Sequence, residues 1–305
     1  MKNIIVISAR LLAALALSGL MQAHADPLSG KTVLSVQKAG AGTPNRLWNT
    51  NNPTLKFATY NIGKNEASNN VNDFGKLIDA IGKLDADVIS VTEIDKNTRR
   101  SGNIDQLKTL ADALKLHYAF GDVLEFDGGQ YGIGLLSKYP IAKSQLVKLP
   151  SGDAEQRGVL IAEVHKPGFE HPIIVMTTHL DWQKDPTIRL MQVRRIMDLA
   201  IGDAPSDFPD IASAVKILAG DFNSTAREQP MQELKAMWNI VDDDLEDHRS
   251  WPAINPALDL DHILTWRGQK WHAKSISVMN DSVSYKWSAV SDHLPVVAEL
   301  KLLEQ

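Results

Sequence analysis

The chain has 305 residues, of which 32 are basic and 37 are acidic, so its formal net charge is −5, and it contains no cysteine. Without cysteine there is no disulfide and no thiol chemistry, and a hydrophobic core must stabilise the fold. The negative charge gives no overall basic surface of the kind that nucleic-acid-binding proteins carry. It therefore disfavours duplex DNA as a partner, unless a local basic groove is present.

The first 25 residues have the pattern of a secretory signal peptide. Lys2 and Arg10 are basic, residues 11–21 are apolar, and residues 23–25 (Ala-His-Ala) form a small-x-small cleavage site. This apolar segment is too short to cross a bilayer, although a retained membrane anchor is the alternative interpretation. We therefore expect an exported protein, periplasmic or secreted, with no stable membrane span.

Residues 26–54 are rich in Gly, Pro, Asn and Thr and predict an N-terminal extension with an edge strand at 32–36 and a loop. From residue 55 to residue 305, apolar runs and helical spacings alternate, which predicts one large α/β domain. Strands are predicted at 55–62, 87–93, 131–137, 157–165, 173–179, 215–218, 258–265, 272–279 and 295–302, and helices at 71–84, 103–116, 186–200 and 229–238. Residues 267–270 predict a hairpin, and the flanking Trp266 and Trp271 are expected to pack on a sheet face rather than enter a membrane.

One strand is followed by Gly-Asp-Phe-Asn at residues 220–223. If the strand continues, Asp221 and Asn223 point the same way because they are two residues apart. Together the two side chains could hold and deprotonate a water molecule, or help to bind a metal ion. The alternative is an Asx turn, in which both side chains serve their own backbone.

Several predicted strands end in a polar side chain; Asn and Asp are common at strand ends, but Glu and His do not help a tight turn and are less expected there. The strand-end residues are Asn61, Glu93, His179, Asp221 with Asn223, and Asp292 with His293, while Asp261 lies inside a further strand. Carboxylate and amide oxygens suit hard cations such as Mg²⁺ or Mn²⁺. The chain has no His-Glu-x-x-His zinc motif, no Gly-x-Ser-x-Gly elbow and no phosphate-binding Gly-x-x-x-x-Gly-Lys loop. The pattern favours metal-assisted attack of water on a phosphate ester.

Six short motifs resemble, in their order, those of the endonuclease/exonuclease/phosphatase superfamily. They are Tyr-Asn-Ile at 60–62, Val-Thr-Glu at 91–93, Thr-His-Leu at 178–180, Gly-Asp-Phe-Asn at 220–223, Leu-Asp-His-Ile at 260–263 and Ser-Asp-His-Leu-Pro at 291–295. That group includes DNase I-like nucleases, inositol polyphosphate 5-phosphatases and neutral sphingomyelinases. The resemblance covers residues 55–302 and implies a four-layer α/β/β/α sandwich with two mixed β-sheets. It also implies that residues 55–305 form a metal-dependent phosphoesterase domain.

The resemblance also implies the residues that bind metal and phosphate. Glu93 is the implied principal Mg²⁺ ligand, with Asn61 beside it and Asp292 as an additional ligand, and Mn²⁺ is a possible substitute. Asn61 and Arg157 are the implied substrate-binding residues, Arg157 as a contact to the phosphate. Arg99 and Arg100, which follow Glu93, are a candidate anion-binding rim.

The implied catalytic residues are two carboxylates, an amide and two histidines. Asp221 and Asn223 are implied to orient and activate water. His293, oriented by Asp261, is implied to contact the scissile phosphate, and His179 to donate a proton to the leaving group or a phosphate oxygen.

Two positions depart from the family pattern. Thr92 stands before Glu93 where the family usually has Gln, and Gly63 stands two residues after Asn61 where abasic-site nucleases have Asp. The second departure argues against that nuclease subgroup, and His179 points towards the DNase I-like and phosphatase branches.

We therefore predict an exported, Mg²⁺-dependent phosphoesterase, expected to be a monomer, that hydrolyses a phosphate ester by in-line attack of an activated water, with a phosphodiester preferred. The candidate substrates are a phospholipid headgroup, an inositol phosphate, a nucleotide or a nucleic acid. A DNase-like endonuclease is one alternative, and a non-catalytic phosphate-binding protein is another.

Overall fold

The structure is a computed structural model that describes residues 22–25, 32–35, 52–63, 74–242 and 247–304, and it divides into two units, residues 1–50 and 51–305. In the first unit, β1 (Gln22–Ala25) and β2 (Thr32–Ser35) pair antiparallel. The strand predicted at 32–36 is therefore present. Most of the predicted signal peptide, residues 1–21, lies outside the described residues, as does most of the loop predicted to follow the strand.

The second unit contains two six-stranded sheets. In spatial order the first sheet consists of β13 (Trp271–Val278), β14 (Val296–Leu302), β3 (Thr54–Asn61), β4 (Val88–Lys96), β6 (Gly129–Ser137) and β5 (His117–Phe126). The second sheet consists of β11 (Trp238–Ile240), β12 (Asp261–Trp266), β10 (Val215–Asp221), β9 (Ile173–His179), β8 (Arg157–Val164) and β7 (Ile141–Leu149). Both sheets are mixed, because β3 runs parallel to β4 and β9 parallel to β10, whereas the other pairs are antiparallel.

Four α-helices accompany the sheets within the described residues: α1 (Phe74–Leu84), α2 (Gln106–Leu114), α3 (Thr187–Ile201) and α4 (Gln229–Leu234). The apolar faces of α1 and α2 join the core that also contains the first sheet, and α3 and α4 pack on the second sheet. Helix α3 ends at Gly202, whose left-handed φ of 81° suits glycine. The arrangement is the four-layer sandwich with two mixed sheets that the sequence predicts. None of the described helices is long and apolar enough to span a membrane.

The core is built by strict alternation along the strands. On β10, Ile217 and Ala219 belong to the core cluster that contains residues of both sheets, and Leu218 belongs to the cluster under α3 and α4. All three residues have no exposed surface, which explains why this strand reads as an unbroken apolar run. Asp221, two residues after Ala219, therefore points into the space between the sheets, where the site lies.

Three parts of the secondary structure differ from the prediction. Strands β5 and β7 were not predicted, because both are partly exposed edge strands with many polar residues. Helix α4 ends at Leu234 rather than at 238, since Trp238 starts the short strand β11 and packs edge-on against Trp266, with 5.0 Å between ring centroids. The hairpin predicted over 267–270 is wrong, because β12 and β13 lie in different sheets. Trp266 and Trp271 pack on the two core clusters, as expected.

Gly220 allows β10 to end against β9 at very close range. Its φ is +145°, and a Cβ atom at this position would lie 1.8 Å from the carbonyl oxygen of Thr178. Only glycine accepts both this backbone conformation and this contact. The residue therefore sets the position of Asp221, which follows it.

We expect Gly220→Ala to lower the free energy of unfolding by about 2–4 kcal/mol, because the new methyl group must displace a strand backbone. Urea unfolding measures the change. Gly75→Ala is the matched control, since a Cβ at Gly75 in α1 meets nothing within 4 Å and helix propensity gains about 1 kcal/mol. Equal urea midpoints for the two variants would contradict the prediction.

Candidate active site

The candidate site lies where the carboxyl ends of both parallel strand pairs meet. In the second sheet Asp221 is in register with His179 on one side and with Asp261 on the other. In the first sheet Asn61 is in register with Thr92, next to Glu93. Parallel strands bring their ends to one edge, so residues far apart in the chain form one cluster.

Asn61 connects the two sheets through its side-chain amide. Its Nδ2 donates to Glu93 Oε1 at 3.1 Å and to Asp221 Oδ2 at 3.0 Å, and its Oδ1 accepts from the Gly63 N–H at 2.9 Å. Because Oδ1 is engaged by the backbone, the amide nitrogen faces the carboxylates. In this arrangement Asn61 acts as a donor that positions two carboxylates, and a metal-binding role would require its amide to turn.

Glu93 reaches the site through a β-bulge. The register of β4 shifts between Thr92 and Ile94, and Glu93 has a left-handed φ of 61°. This conformation is uncommon for a residue with a side chain, and bulges of this kind re-aim a side chain near active sites. The Glu93 carboxylate lies over Gly63, where a Cβ would fall 1.8 Å from Oε2. Position 63 therefore requires glycine, because any side chain there would displace the Glu93 carboxylate.

Asp221 is the most connected residue of the cluster. Its Oδ1 accepts from the Asn223 N–H at 2.8 Å, and its Oδ2, besides Asn61, lies 3.6 Å from His179 Nε2 and 3.7 Å from His293 Nε2. Burial and the neighbouring Asp261 carboxylate raise the pKa of Asp221 to about 6. A carboxylate of this kind can accept a proton near neutral pH.

The Asx-turn alternative for residues 221–223 is also realised. Asn223 has φ of +48°, and its backbone N–H satisfies one oxygen of Asp221 while its Nδ2 donates to the Leu180 carbonyl at 3.0 Å. One oxygen of Asp221 thus serves the turn and the other faces the site. Asn223 fixes the loop that follows β9 rather than pointing its amide at Asp221.

His293 is held by a chain of buried hydrogen bonds. Its Nδ1 lies 2.8 Å from Asp261 Oδ2, and the same oxygen accepts from Ser250 Oγ at 2.7 Å. Burial opposes a charge on the imidazole, but the carboxylates of Asp261 and Asp221 raise the pKa of His293 to about 10. His293 is therefore an imidazolium at neutral pH, with Nε2–H directed towards Asp221. Ser250 lies in a loop and has no signal in the sequence.

His179 is oriented by Arg157. Arg157 Nη1 lies 3.1 Å from His179 Nδ1 and 3.0 Å from Glu155 Oε1, and the arginine is buried. Because a guanidinium only donates, Nδ1 must accept, which leaves the proton of the neutral ring on Nε2. His179 thus presents an N–H towards Asp221 and the space in front of it. Glu155, which partners Arg157, is a further site residue without a sequence signal.

The residues predicted at the edges of the site have acidic or aromatic partners. Asp292 Oδ2 accepts from Trp251 Nε1 at 3.4 Å, and its Oδ1 is buried with no hydrogen-bond partner among the described residues. Arg100 forms two hydrogen bonds with Asp95, at 2.7 and 2.8 Å, and Arg99 pairs with Asp127. The predicted arginine rim is therefore largely neutralised.

The donor set fits a hard divalent cation. Carboxylate oxygens of Asp221 and Asp261 lie within 4.8 Å of each other, and Asp261 Oδ1, like Asp292 Oδ1, is buried without a partner in the part of the chain that the structure describes. Buried carboxylate oxygens that lack protein donors are suited to a cation such as Mg²⁺. Glu93 adds a further carboxylate, which accepts from the same Asn61 amide as Asp221.

Comparison with known proteins agrees with the geometry. A protein of Escherichia coli (strain K12), YbhP, described as uncharacterized, is 26% identical over 262 residues, which cover 82% of this chain and 97% of that protein. The endonuclease/exonuclease/phosphatase of Bacteroides vulgatus has a solved structure with a TM-score of 0.65 at 15% identity, covering 82% of this chain and 99% of that one. ANGEL2, a 2′,3′-cyclic phosphatase solved in complex with adenosine-2′,3′-vanadate, gives a TM-score of 0.64 at 14% identity, covering 84% and 97%.

These solved structures share the fold with this chain, and the family assignment rests on the sequence. The sequence model of the Endonuclease/Exonuclease/phosphatase family matches residues 58–293, which include each predicted site residue from Asn61 to His293. The chain belongs to the endonuclease/exonuclease/phosphatase family.

Proposed function

We propose that the protein is an exported, Mg²⁺-dependent phosphoesterase that hydrolyses a phosphate ester, preferably a phosphodiester, by in-line attack of water. Family membership supports a phosphoesterase. One observation carries the catalytic proposal: Asp221 Oδ2 bonds to Asn61 and lies within 3.7 Å of the Nε2 atoms of both His179 and His293. Export rests on the signal-peptide pattern of residues 1–25.

In this proposal Asp221 takes the proton from the attacking water. Its raised pKa brings it close to the range in which a general base works at neutral pH. Asn61 holds the receiving oxygen, and the turn formed with Asn223 holds the other. The carboxylate therefore needs little reorientation when water attacks.

The two histidines donate to the phosphate. The His293 imidazolium, held by Asp261, provides a charged N–H for a phosphoryl oxygen on which charge develops. The neutral His179 provides a second N–H at Nε2, which suits a hydrogen bond to the leaving oxygen, and that oxygen then takes its proton from solvent.

Glu93 would hold the metal ion, together with the unpartnered oxygens of Asp292 or Asp261. When bound, Mg²⁺ neutralises charge on the phosphate oxygens and polarises the phosphorus centre. The buried oxygens that lack donors support this placement.

The alternatives have less support from the site. A DNase-like endonuclease needs a basic surface along the DNA backbone, but Arg99, Arg100 and Arg157 each have an acidic partner. A non-catalytic binding protein has no use for a buried carboxylate with a raised pKa between two histidines.

We expect Asp221→Asn to lower kcat by about 10²- to 10⁴-fold with little change in KM, because the amide keeps the shape but does not accept the proton. The assay is a panel of plasmid DNA, RNA, sphingomyelin, phosphoinositides and a generic phosphodiester with Mg²⁺. Asp185→Asn, an exposed change in the loop after the same strand as His179, is the control. Wild-type protein that is folded but inert across the panel with Mg²⁺ and Mn²⁺ would instead favour the binding protein.

Removal of divalent cations with EDTA should abolish the activity, and Mg²⁺ should restore it. Glu93→Gln should raise the Mg²⁺ concentration needed for half-maximal activity by about tenfold or more, since it removes a ligand charge. The control is Asp112→Asn, a change of an exposed carboxylate on α2, which should leave the required Mg²⁺ concentration unchanged. Full activity in EDTA would exclude the metal-dependent mechanism.

The charge on His293 predicts a pH-dependent stability in metal-free protein. Its folded-state pKa of about 10 lies above the unfolded value of 6.5, so its contribution is fully present below pH 6.5 and is lost as the pH rises through 10. Asp221, with a pKa of about 6, is already ionised over most of this window. The difference in free energy of unfolding between wild type and His293→Gln should therefore shrink from pH 7 to pH 10 in EDTA. Urea unfolding at both pH values measures it, and a constant difference would mean that His293 is neutral.

A further inference from the structure

The loop after β9 carries an aromatic side chain that faces solvent. Trp182 is 65% exposed, whereas the other tryptophans in the described part of the chain are buried or half-buried. Three residues before it stands His179. The loop therefore places a large apolar ring in water beside the candidate site.

The backbone on both sides of Trp182 is fixed by buried polar side chains. The Asp181 N–H donates to Gln192 Oε1 at 2.9 Å, and Arg189 Nη1 donates to the Asp181 carbonyl at 2.9 Å and also to the Gln183 carbonyl. The Gln183 N–H donates to Asp181 Oδ2 at 3.0 Å. The side chains of Asp181, Arg189 and Gln192 are all buried. Buried polar groups of this kind hold a loop rigidly, and here the loop presents an indole that is largely exposed.

The same loop is bonded to the catalytic turn. The Leu180 N–H donates to the Asp221 carbonyl at 2.9 Å, and the Leu180 carbonyl accepts from Asn223 Nδ2 at 3.0 Å. Trp182 is three residues from His179, so their Cα atoms are at most about 11 Å apart. A ring attached to the alcohol part of a phosphate ester at His179 is therefore within reach of the indole.

The surroundings of Trp182 suit one ring of a small molecule rather than a membrane or a long polyanion. Gln183, Lys184 and Asp185, which follow it, are polar and exposed. A membrane-binding loop needs a contiguous apolar patch, with basic residues to attract an anionic surface. The chain has a net charge of −5, and the arginines near the site have acidic partners.

We propose that Trp182 is the stacking platform for an aromatic ring in the substrate, so that the substrate class is small phosphate esters of the nucleotide type. The inference rests on the proposed function, because it places the phosphate beside His179. Stacking of a base on an aromatic side chain contributes about 5- to 150-fold in affinity.

The test is an NMR titration of protein labelled with ¹⁵N-tryptophan, in Mg²⁺, with the Trp182 indole signal assigned from Trp182→Phe. Adenosine 5′-monophosphate supplies phosphate and ring, and glycerol 3-phosphate supplies phosphate without a ring. We expect the first to move the Trp182 indole N–H upfield through the ring current, and the second not to. Trp182→Leu should weaken binding of adenosine 5′-monophosphate at least about fivefold and leave glycerol 3-phosphate unchanged, whereas Trp182→Phe should retain most of the affinity.

Tyr118→Leu, a change of an exposed aromatic residue at the opposite end of the first sheet, is the control and should affect neither ligand. An unmoved indole signal, or equal weakening of both ligands by Trp182→Leu, would overturn the inference. A shift caused by phosphatidylglycerol vesicles but not by adenosine 5′-monophosphate would assign the residue to a lipid surface instead. Hydrolysis of the substrate panel by the wild-type protein is measured separately from ³¹P signals. Failure of the proposed enzyme activity and failure of the stacking proposal are therefore distinguished by different measurements.

Discussion

The Asn61 amide is the contact on which the candidate site depends. Its Nδ2 donates to Glu93 in its own sheet and to Asp221 in the other sheet. Sheets packed face to face are held by apolar side chains that tolerate small sliding, whereas a hydrogen bond of 3.0 Å does not. Ser291 strengthens the same corner, because its Oγ donates to the Asn61 carbonyl at 2.7 Å and accepts from the His293 N–H at 3.1 Å. The distances among the side chains of the candidate site follow from this corner.

Burial of so many ionisable groups is possible because they compensate one another. Asp221, Asp261 and His293 are each at most 5% exposed, and an isolated buried charge of either sign would be strongly disfavoured. Burial and the Asp261 carboxylate raise the pKa of Asp221. One imidazolium between two carboxylates leaves a net negative charge, which favours a cation nearby. The same arrangement therefore accounts for a basic carboxylate and supports the proposed metal binding.

The fold and much of the candidate site were predictable because apolar strands end directly in the candidate functional residues. Asn61, His179 and Asp221 are the last residues of their strands, and their positions follow from strand period and parallel pairing. Ser250 and Glu155 were not predictable, since they lie in loops and their roles arise from tertiary contacts at a distance in sequence. The conformation of Glu93 was also not predictable, because the sequence pattern of an apolar strand does not indicate where a bulge occurs.

Because of the bulge at Glu93, strand β4 should tolerate substitutions better than insertions or deletions. On the two sides of it, alternate residues face opposite layers, so Ile94 enters the hydrophobic core and Asp95 turns to Arg100. Loss of a single residue between positions 91 and 94 would exchange these two faces and carry a carboxylate among aliphatic side chains. Related chains should therefore vary in side chains along this strand far more readily than in the number of residues from its start to its end.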